Sequence, residues 1–278
     1  MKKLMLCCFI LLGMNQSAQA NILVPAYFYP SSITSLSYWD ELTGAASHTQ
    51  ITAIINPNSG SGIAANSDYT TAINNFRAAG GKAIAYVHTN YGMRDKAEVL
   101  AEVNLYKSFY GIDGIFLDEM SNKNSDLNYY QSLYGSIKLI DPNYSVFANP
   151  GTNTAESFLS AADVLVTYEN DPASSNYVGY VPDAWTQNYA ANRFAHLFYN
   201  VPNPEDMLSL AMLADGRNVG YTYFTDDVLP NPWDTLPTYW DAEVSRNPSN
   251  VPLPSSALLM LSALAIFGVV NCKGSKQE

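Results

Sequence analysis

The sequence predicts a single α/β domain folded as a (β/α)8 TIM barrel, on three observations. Eight apolar, aromatic-rich runs occupy residues 22–29, 51–57, 82–89, 114–119, 144–150, 163–169, 193–200 and 218–226. Their first residues stand 29, 31, 32, 30, 19, 30 and 25 apart, close to the length of one strand, one crossover helix and two loops. The runs are almost continuously apolar, as strands covered on both faces require, and helical patterns lie between them. A doubly wound open sheet alternates in the same way, but it wants a glycine-rich phosphate turn after its first strand. Val24-Pro25-Ala26-Tyr27 stands there instead. No short-period repeat or low-complexity block suggests a solenoid or a second domain.

Helices are predicted over residues 69–79, stopped by Gly80-Gly81, over 95–110 with Asp95 as cap, over 128–140 before Asp141-Pro142, and over 204–213 ending near Gly216. The sixth crossover, residues 170–192, is rich in Pro, Gly, Tyr and Asn and is expected to be irregular.

The two ends have a different character. Residues 1–20 combine Lys2 and Lys3, an apolar stretch over residues 4–12 and the small-x-small site Ala18-Gln19-Ala20, the pattern of a secretory signal. Lipidation at Cys7 or Cys8 would need small residues just before the cysteine, where Leu4-Met5-Leu6 stands. Residues 246–278 hold Val251-Pro252-Leu253-Pro254, an apolar run over 257–270, then Lys273 and Lys276. This tail resembles the PEP-CTERM type of sorting signal in its Val-Pro-Leu-Pro variant, without a Glu after the second Pro. The resemblance implies processing by an exosortase, and a plain membrane anchor is the alternative, because residues 251–270 just reach the length a bilayer span needs. The protein is therefore expected to be exported, extracellular or on the cell surface, and to touch a membrane only through this tail.

The chain carries 14 Lys+Arg against 25 Asp+Glu, a formal net charge of −11. Four of the bases, and of the acids only Glu278, lie outside residues 21–250, so that stretch is more acidic still. Such a domain does not seek nucleic acid and would attract a cationic partner. The three cysteines, Cys7, Cys8 and Cys272, all lie in the terminal segments, so neither a disulfide nor a thiolate metal site can hold the domain together.

The active site of a barrel lies at the C-terminal ends of its strands. There the fourth run ends in Asp118 and Glu119, and the sixth ends in Glu169. Adjacent residues face opposite sides of a strand, so Asp118 and Glu119 cannot share one role unless the strand has already bent into its loop. Strands four and six are next-nearest neighbours, which lets two carboxylates face one sugar ring, the pair that glycoside hydrolysis needs. Acids at strand ends also cap helices or pair with bases such as Arg94, Arg193 or Lys123. Two apolar strands that both end in acids, in an aromatic rim, favour chemistry.

Other residues at the rim suit carbohydrate, since flat rings stack on sugar C–H faces while amides and acids take hydroxyls. Tyr27, Tyr29 and Asn56 follow strands one and two, His88, Asn90 and Tyr91 end strand three, and Asn149 ends strand five. Tyr199, Tyr223, Asp226 and Trp233 follow on strands seven and eight and beyond. With 20 Tyr many must simply pack, so only the set carries weight. No cofactor is expected: the only histidines are His48, His88 and His196, without HxH or HExxH spacing. His196, in mid-strand, suits a hydrogen-bonded core position. Asn58-Ser59-Gly60-Ser61-Gly62 only loosely resembles a nucleophile elbow and suits a substrate-binding loop better.

Taken in order, Val24-Pro25-Ala26-Tyr27-Phe28-Tyr29-Pro30, Ile55-Asn56-Pro57-Asn58-Ser59-Gly60, Ala85-Tyr86-Val87-His88-Thr89-Asn90-Tyr91-Gly92, Gly114-Ile115-Phe116-Leu117-Asp118-Glu119, Asn149-Pro150-Gly151-Thr152 and Tyr168-Glu169 resemble the spherulin-4 family, glycoside hydrolase family 135. The likeness covers residues 21–245. It implies a (β/α)8 endo-glycosidase acting on α-1,4-linked galactosamine or N-acetylgalactosamine polymers of biofilm matrix. It also carries the family's Asp-Glu pair onto Asp118 and Glu119 and its strand-six Glu onto Glu169. Ser61 departs from the family pattern, where Pro is expected. Chemistry and resemblance together suggest Asp118 as nucleophile, Glu169 as general acid/base, and Glu119 as a neighbour that binds substrate and raises a carboxyl pKa. A substrate N-acetyl group could instead be the nucleophile, with Asp118 orienting it. The same tail and tyrosines would equally suit a matrix or surface protein that binds polysaccharide without cutting it, although a pure binder has no need of three acids at these strand ends.

Overall fold

The computed structural model describes residues 20–30 and 37–247, so residues 1–19 of the signal-like segment and 248–278 of the tail lie outside the described residues. Eight parallel strands close into one barrel in sequence order: β1 (Asn21–Ala26), β2 (Ile51–Ile55), β3 (Lys82–His88), β4 (Gly114–Asp118), β5 (Ser145–Ala148), β6 (Val164–Asn170), β7 (Phe194–Phe198) and β8 (Tyr221–Phe224). Closure is made by β1 on β8, where Asn21 pairs with Tyr221 and Ile22 with Thr222. Six strands fall inside their apolar runs, and β1 and β6 overrun theirs by one residue, at Asn21 and Asn170. The sequence-predicted barrel is the observed fold.

The crossovers follow the capping chemistry of the sequence. Helix α1 (Tyr38–Ala46) starts where the Ser37 side chain accepts from the Asp40 amide, α2 (Ser67–Ala78) where Asn66 accepts from Asp68 and Tyr69, and α3 (Lys96–Tyr110) where Asp95 accepts from Ala97. Gly111, at φ 59°, ends α3 in the left-handed conformation that a residue without Cβ adopts at low cost. Then come α4 (Leu127–Ile140), α5 (Pro204–Gly216), with Asn203 as cap and Pro at its start, and α6 (Trp240–Arg246). Between β6 and β7 there are only 3-10 turns, at Tyr177–Gly179, Ala184–Asn188 and Ala191–Arg193, so the sixth crossover is irregular as expected. None of the described helices is long and apolar enough to cross a membrane.

Alternation along the strands divides the apolar residues into two layers. Phe116 and Phe147 are register partners and face inward, where Phe147 meets Tyr221 of β8 with ring centroids 5.2 Å apart. Phe198 and Phe224, also partners, stack at 4.6 Å outside the barrel and are covered by Met207, Leu210 and Ala211 of α5. The fold therefore rests on a filled interior and an aromatic outer layer, with no covalent cross-link.

One glycine marks where the sheet is tightest. A Cβ on Gly114, at the start of β4, would lie 2.2 Å from the Ser145 carbonyl oxygen of β5. Gly114→Ala is expected to lower stability by about 1–3 kcal/mol, the usual cost of overpacking, as read by urea denaturation. An unchanged midpoint would mean that β4 and β5 separate freely at that point.

Candidate active site

Strands β4, β5 and β6 lie side by side and bring Asp118, Asn149 and Glu169 to the same rim. Asn149, on the middle strand, donates from one nitrogen to both acids: its Nδ2 is 2.7 Å from Asp118 Oδ1 and 2.5 Å from Glu169 Oε2. The two oxygens can be separated by no more than the sum of these distances, about 5.2 Å. Backbone bonds fix the same trio, from Asn149 N to Leu117 O (2.9 Å), Met120 N to Asn149 O (3.0 Å) and Glu169 N to Gly151 O (3.1 Å). Asn149 is only 7% exposed.

The two acids are electrostatically unequal. Burial first, then the neighbouring Asp118 charge, push the Glu169 carboxyl up from its ordinary 4.5 to about 7, against the Asn149 hydrogen bond that pulls it down. Glu169 keeps a part-exposed edge, but its carboxyl is surrounded by protein, which is why burial dominates. The sequence suggested Glu119 as the neighbour that raises a carboxyl pKa. In the structure the charge acting on Glu169 is that of Asp118, while Glu119 acts on the Tyr86 and Tyr130 phenols. Among the described ion pairs none involves Asp118, Glu119 or Glu169. Arg94 lies 2.7 Å from Glu102, and Arg193 donates to the carbonyls of Leu159, Ala162 and Asp163. Those two bases are occupied elsewhere.

Strand β4 stops abruptly at Asp118. Glu119 has φ +50°, so the chain has already bent out of strand geometry at the second acid and simple alternation no longer sets its direction. Buried Thr89 holds this turn: its N–H donates to Asp118 O (2.9 Å) and its hydroxyl lies 2.8 Å from Glu119 O, while the Tyr91 amide also donates to Glu119 O at 2.8 Å. Tyr91, Asn90, Ser59 and Asn200, all just beyond strand ends, share positive φ. Left-handed backbone costs roughly 1–2 kcal/mol per non-glycine residue, and such strain gathers at working sites.

A cavity of about 480 Å³ opens at the C-terminal ends of β1 and β2, lined by Tyr27, Tyr29, Asn56, Pro57, Asn58, Ser59, Tyr69, Pro230 and Asn231. Tyr27 joins it to the carboxylates, since its phenol is raised by burial and then by the Asp118 charge. The Asn58–Gly62 segment thus forms part of a cavity wall. It is held by Asn56 Oδ1, which accepts from Gly60 N at 2.7 Å, and by Glu102 Oε1, which accepts from Ser61 N at 3.2 Å. A proline at position 61 could not make the second bond, so the departure at Ser61 is matched by a partner.

The remaining rim residues divide. His88 is the register partner of Asp118 and is half-buried, while Asn90 and Tyr91 (59% exposed) stand at the mouth. Tyr29 is exposed, its hydroxyl 2.6 Å from Asp68. Tyr199 is half-buried, donates to Asn170 and leans on Trp233. Two assignments are corrected. Tyr223 is fully buried with its hydroxyl toward Thr235 O, and Trp233 is 8% exposed and packs on Tyr223 and Tyr199, so both build the wall beneath the site. Asp226 turns its carboxylate onto the Thr238 amide and hydroxyl and ties the loop after β8. Tyr86 is not among the site residues that the sequence singles out, yet it hydrogen-bonds Asp118, with its ring 5.6 Å from that of Tyr27. Its position two residues before His88, on the same face of β3, is the signal that finds it. His196 is a core residue as expected, bonded to Thr167 and Tyr177.

A model of the Spherulation-specific family 4 matches residues 21–246. The chain belongs to this family. It is 32% identical over 240 residues to Spherulin-4 of Physarum polycephalum, spanning 83% of this chain and 71% of that protein. Among solved structures it is similar to Sph3 of Aspergillus clavatus, solved in complex with GalNAc, at 22% identity and a TM-score of 0.71, covering 82% of this chain and 97% of that one.

The raised Glu169 carboxyl has a consequence for stability. An acid whose folded pKa lies above its unfolded value binds its proton more tightly when folded, so stability is unimpaired below about pH 4.5 and falls as pH rises through about 7. Glu169→Gln is therefore expected to be more stable than wild type at pH 8, by about 3 kcal/mol at most, with the difference vanishing near pH 4. Urea denaturation at the two pH values checks it, and equal midpoints at pH 8 would contradict the burial argument.

Proposed function

We propose that this protein is an exported glycoside hydrolase that cuts α-1,4-linked galactosamine or N-acetylgalactosamine-type exopolysaccharide of biofilm matrix as an endo-enzyme. The observation that carries the proposal is the Asn149 amide holding two carboxyl groups of unequal protonation within reach of one sugar ring. Glu169 keeps its proton to about pH 7 and suits the acid; Asp118 suits the nucleophile. In the first step Glu169 gives its proton to the glycosidic oxygen, the C1–O bond breaks, and an Asp118 oxygen bonds to C1. In the second, the Glu169 carboxylate takes a proton from water, whose oxygen displaces Asp118 from C1 and returns Glu169 to its acid form. The nearest oxygens of the two carboxyl groups, bridged by one amide and no more than about 5.2 Å apart, favour the closer spacing of retaining enzymes, roughly 5–5.5 Å between carboxyl groups.

Glu119, Tyr27, Tyr29, Asn56, His88, Asn90 and Tyr91 are assigned to substrate binding. The cavity at Tyr27 and Tyr29 holds sugar units next to the cleavage point. An amino-sugar polymer is favoured by the net charge of −11, by acids without cationic partners, and by the GalNAc complex of the similar fungal protein. Export by the N-terminal signal, exosortase processing and a membrane contact limited to the tail belong to the same proposal.

Incubation with amino-sugar polymers of differing acetylation, read by reducing ends and mass spectrometry, is expected to yield oligosaccharides. Asp118→Asn and Glu169→Gln are each expected to lower kcat by about 10³-fold or more without unfolding the protein, and wild-type kcat to fall as pH rises through about 7. Retained activity in either variant would remove that residue from its role. Polymer binding without cleavage by wild type would make the protein a lectin.

A further inference from the structure

Strand β6 contains one residue too many for its neighbour. Along the β6–β7 pairing Val166 faces Ala195, but Tyr168 faces His196 and Glu169 faces Leu197, so Thr167 is the extra residue of a β-bulge. The bulge decides which way Glu169 points. Ala195 pairs with Tyr221, whose ring meets Phe147 of β5 across the barrel, so Ala195 and, two residues on, Leu197 face inward, whereas Tyr168 and Phe198 belong to the outer aromatic layer under α5. Val166 is aligned with inward Ala195, so uninterrupted alternation would turn Tyr168 inward and Glu169 out toward α5. With Thr167 inserted, Tyr168 goes out and Glu169 goes in, where Asn149 meets it.

The extra residue is held from outside the barrel. Thr167 Oγ1 lies 3.0 Å from His196 Nε2, the other ring nitrogen of His196 is 2.7 Å from the Tyr177 hydroxyl, and the Tyr180 hydroxyl donates to Thr167 O at 3.1 Å. Thr167, Tyr177 and His196 are buried. Burial first, then Arg217 nearby, holds the His196 ring neutral, its pKa down at about 3, so one nitrogen donates and the other accepts, and the hydroxyls on either side can take the complementary role. The Arg217 guanidinium sits 4.3 Å over the Tyr177 ring and closes the cluster.

Resting on the hydrolase assignment above, we propose that Thr167 and His196 are positioning residues, which pin the β6 bulge from the outer wall so that Glu169 points at the substrate. They touch neither substrate nor the reacting atoms; they act through the backbone. The test uses the full chain, with Thr167→Val removing the hydroxyl at nearly constant shape, Thr167→Ser restoring it, and two readouts: steady-state kinetics on the polymer that wild type cleaves, and the titration of Glu169 followed by carboxyl-¹³C NMR. Thr167→Val is expected to lower kcat by about 10²-fold with KM little changed, as for a misplaced catalytic group, to lose the limb near pH 7, and to return Glu169 toward the ordinary carboxylate range. Thr167→Ser is expected to recover both. Wild-type kcat together with an unmoved Glu169 titration in folded Thr167→Val overturns the proposal. Should Thr167→Val fail to fold, Tyr177→Phe, which removes only the outer bond to His196, is judged by the same two readouts and the same criterion. If wild type cleaves no polymer, the hydrolase assignment fails, and the Glu169 titration alone still decides whether the bulge is pinned as stated.

Discussion

Two carboxyl groups that repel each other are held in one place by a single amide, and the arrangement of this barrel follows from that constraint. Asn149 can serve both because its strand lies between theirs and its Nδ2 carries two protons in fixed directions. The arrangement keeps two acids in a wall where no described ion pair involves either of them. A Glu169 carboxyl raised to about 7 relieves the repulsion as long as it keeps its proton. The protonation asymmetry that acid catalysis needs is thus also the one that makes the pair tolerable in a buried wall.

What surrounds the trio is rigid for a physical reason. Thr89 and the Tyr91 amide hold the peptides where β4 stops, and four further residues at strand ends accept left-handed backbone. Such strain persists only when the rest of the structure over-determines it. The filled interior around Phe116, Phe147 and Tyr221 and the outer layer of Tyr168, Tyr177, Phe198 and Phe224 supply that rigidity, in a domain whose cysteines all lie beyond it.

The eight strands were legible because strands buried on both faces must be apolar throughout, and their spacing left little other than a closed barrel. The helices with strong caps, at Asp95 and Asn203, were legible for the same local reason. Two others, α1 and α6, are short, and nothing in their patterns singled them out. Of the candidate site, the acids and the cavity residues Tyr27, Tyr29 and Asn56 lie where strand ends placed them. Tyr223 and Trp233 are buried because the loop after β8, which contains Trp233, folds back onto the barrel: Tyr27 N donates to Trp233 O and the Tyr223 hydroxyl to Thr235 O, long-range contacts that no local pattern encodes. Asn149 looked like a sugar ligand and is a bridge between acids. Tyr86 was hidden among 20 tyrosines, most of which pack. The bulge was invisible for a deeper reason: Thr is an ordinary strand residue, and an extra one changes register without changing composition.

That last feature has a genetic meaning. Strand orientation has only two values, so a residue inserted in β6 upstream of Glu169 does not perturb the acid gradually; it inverts it. One codon gained at the position of Thr167 brings an outward-facing glutamate into the barrel, and one codon lost sends it back, while β1 to β5 keep their register. Substitutions shift a side chain by small steps, but the face of the sheet on which this glutamate lies changes by a single insertion or deletion.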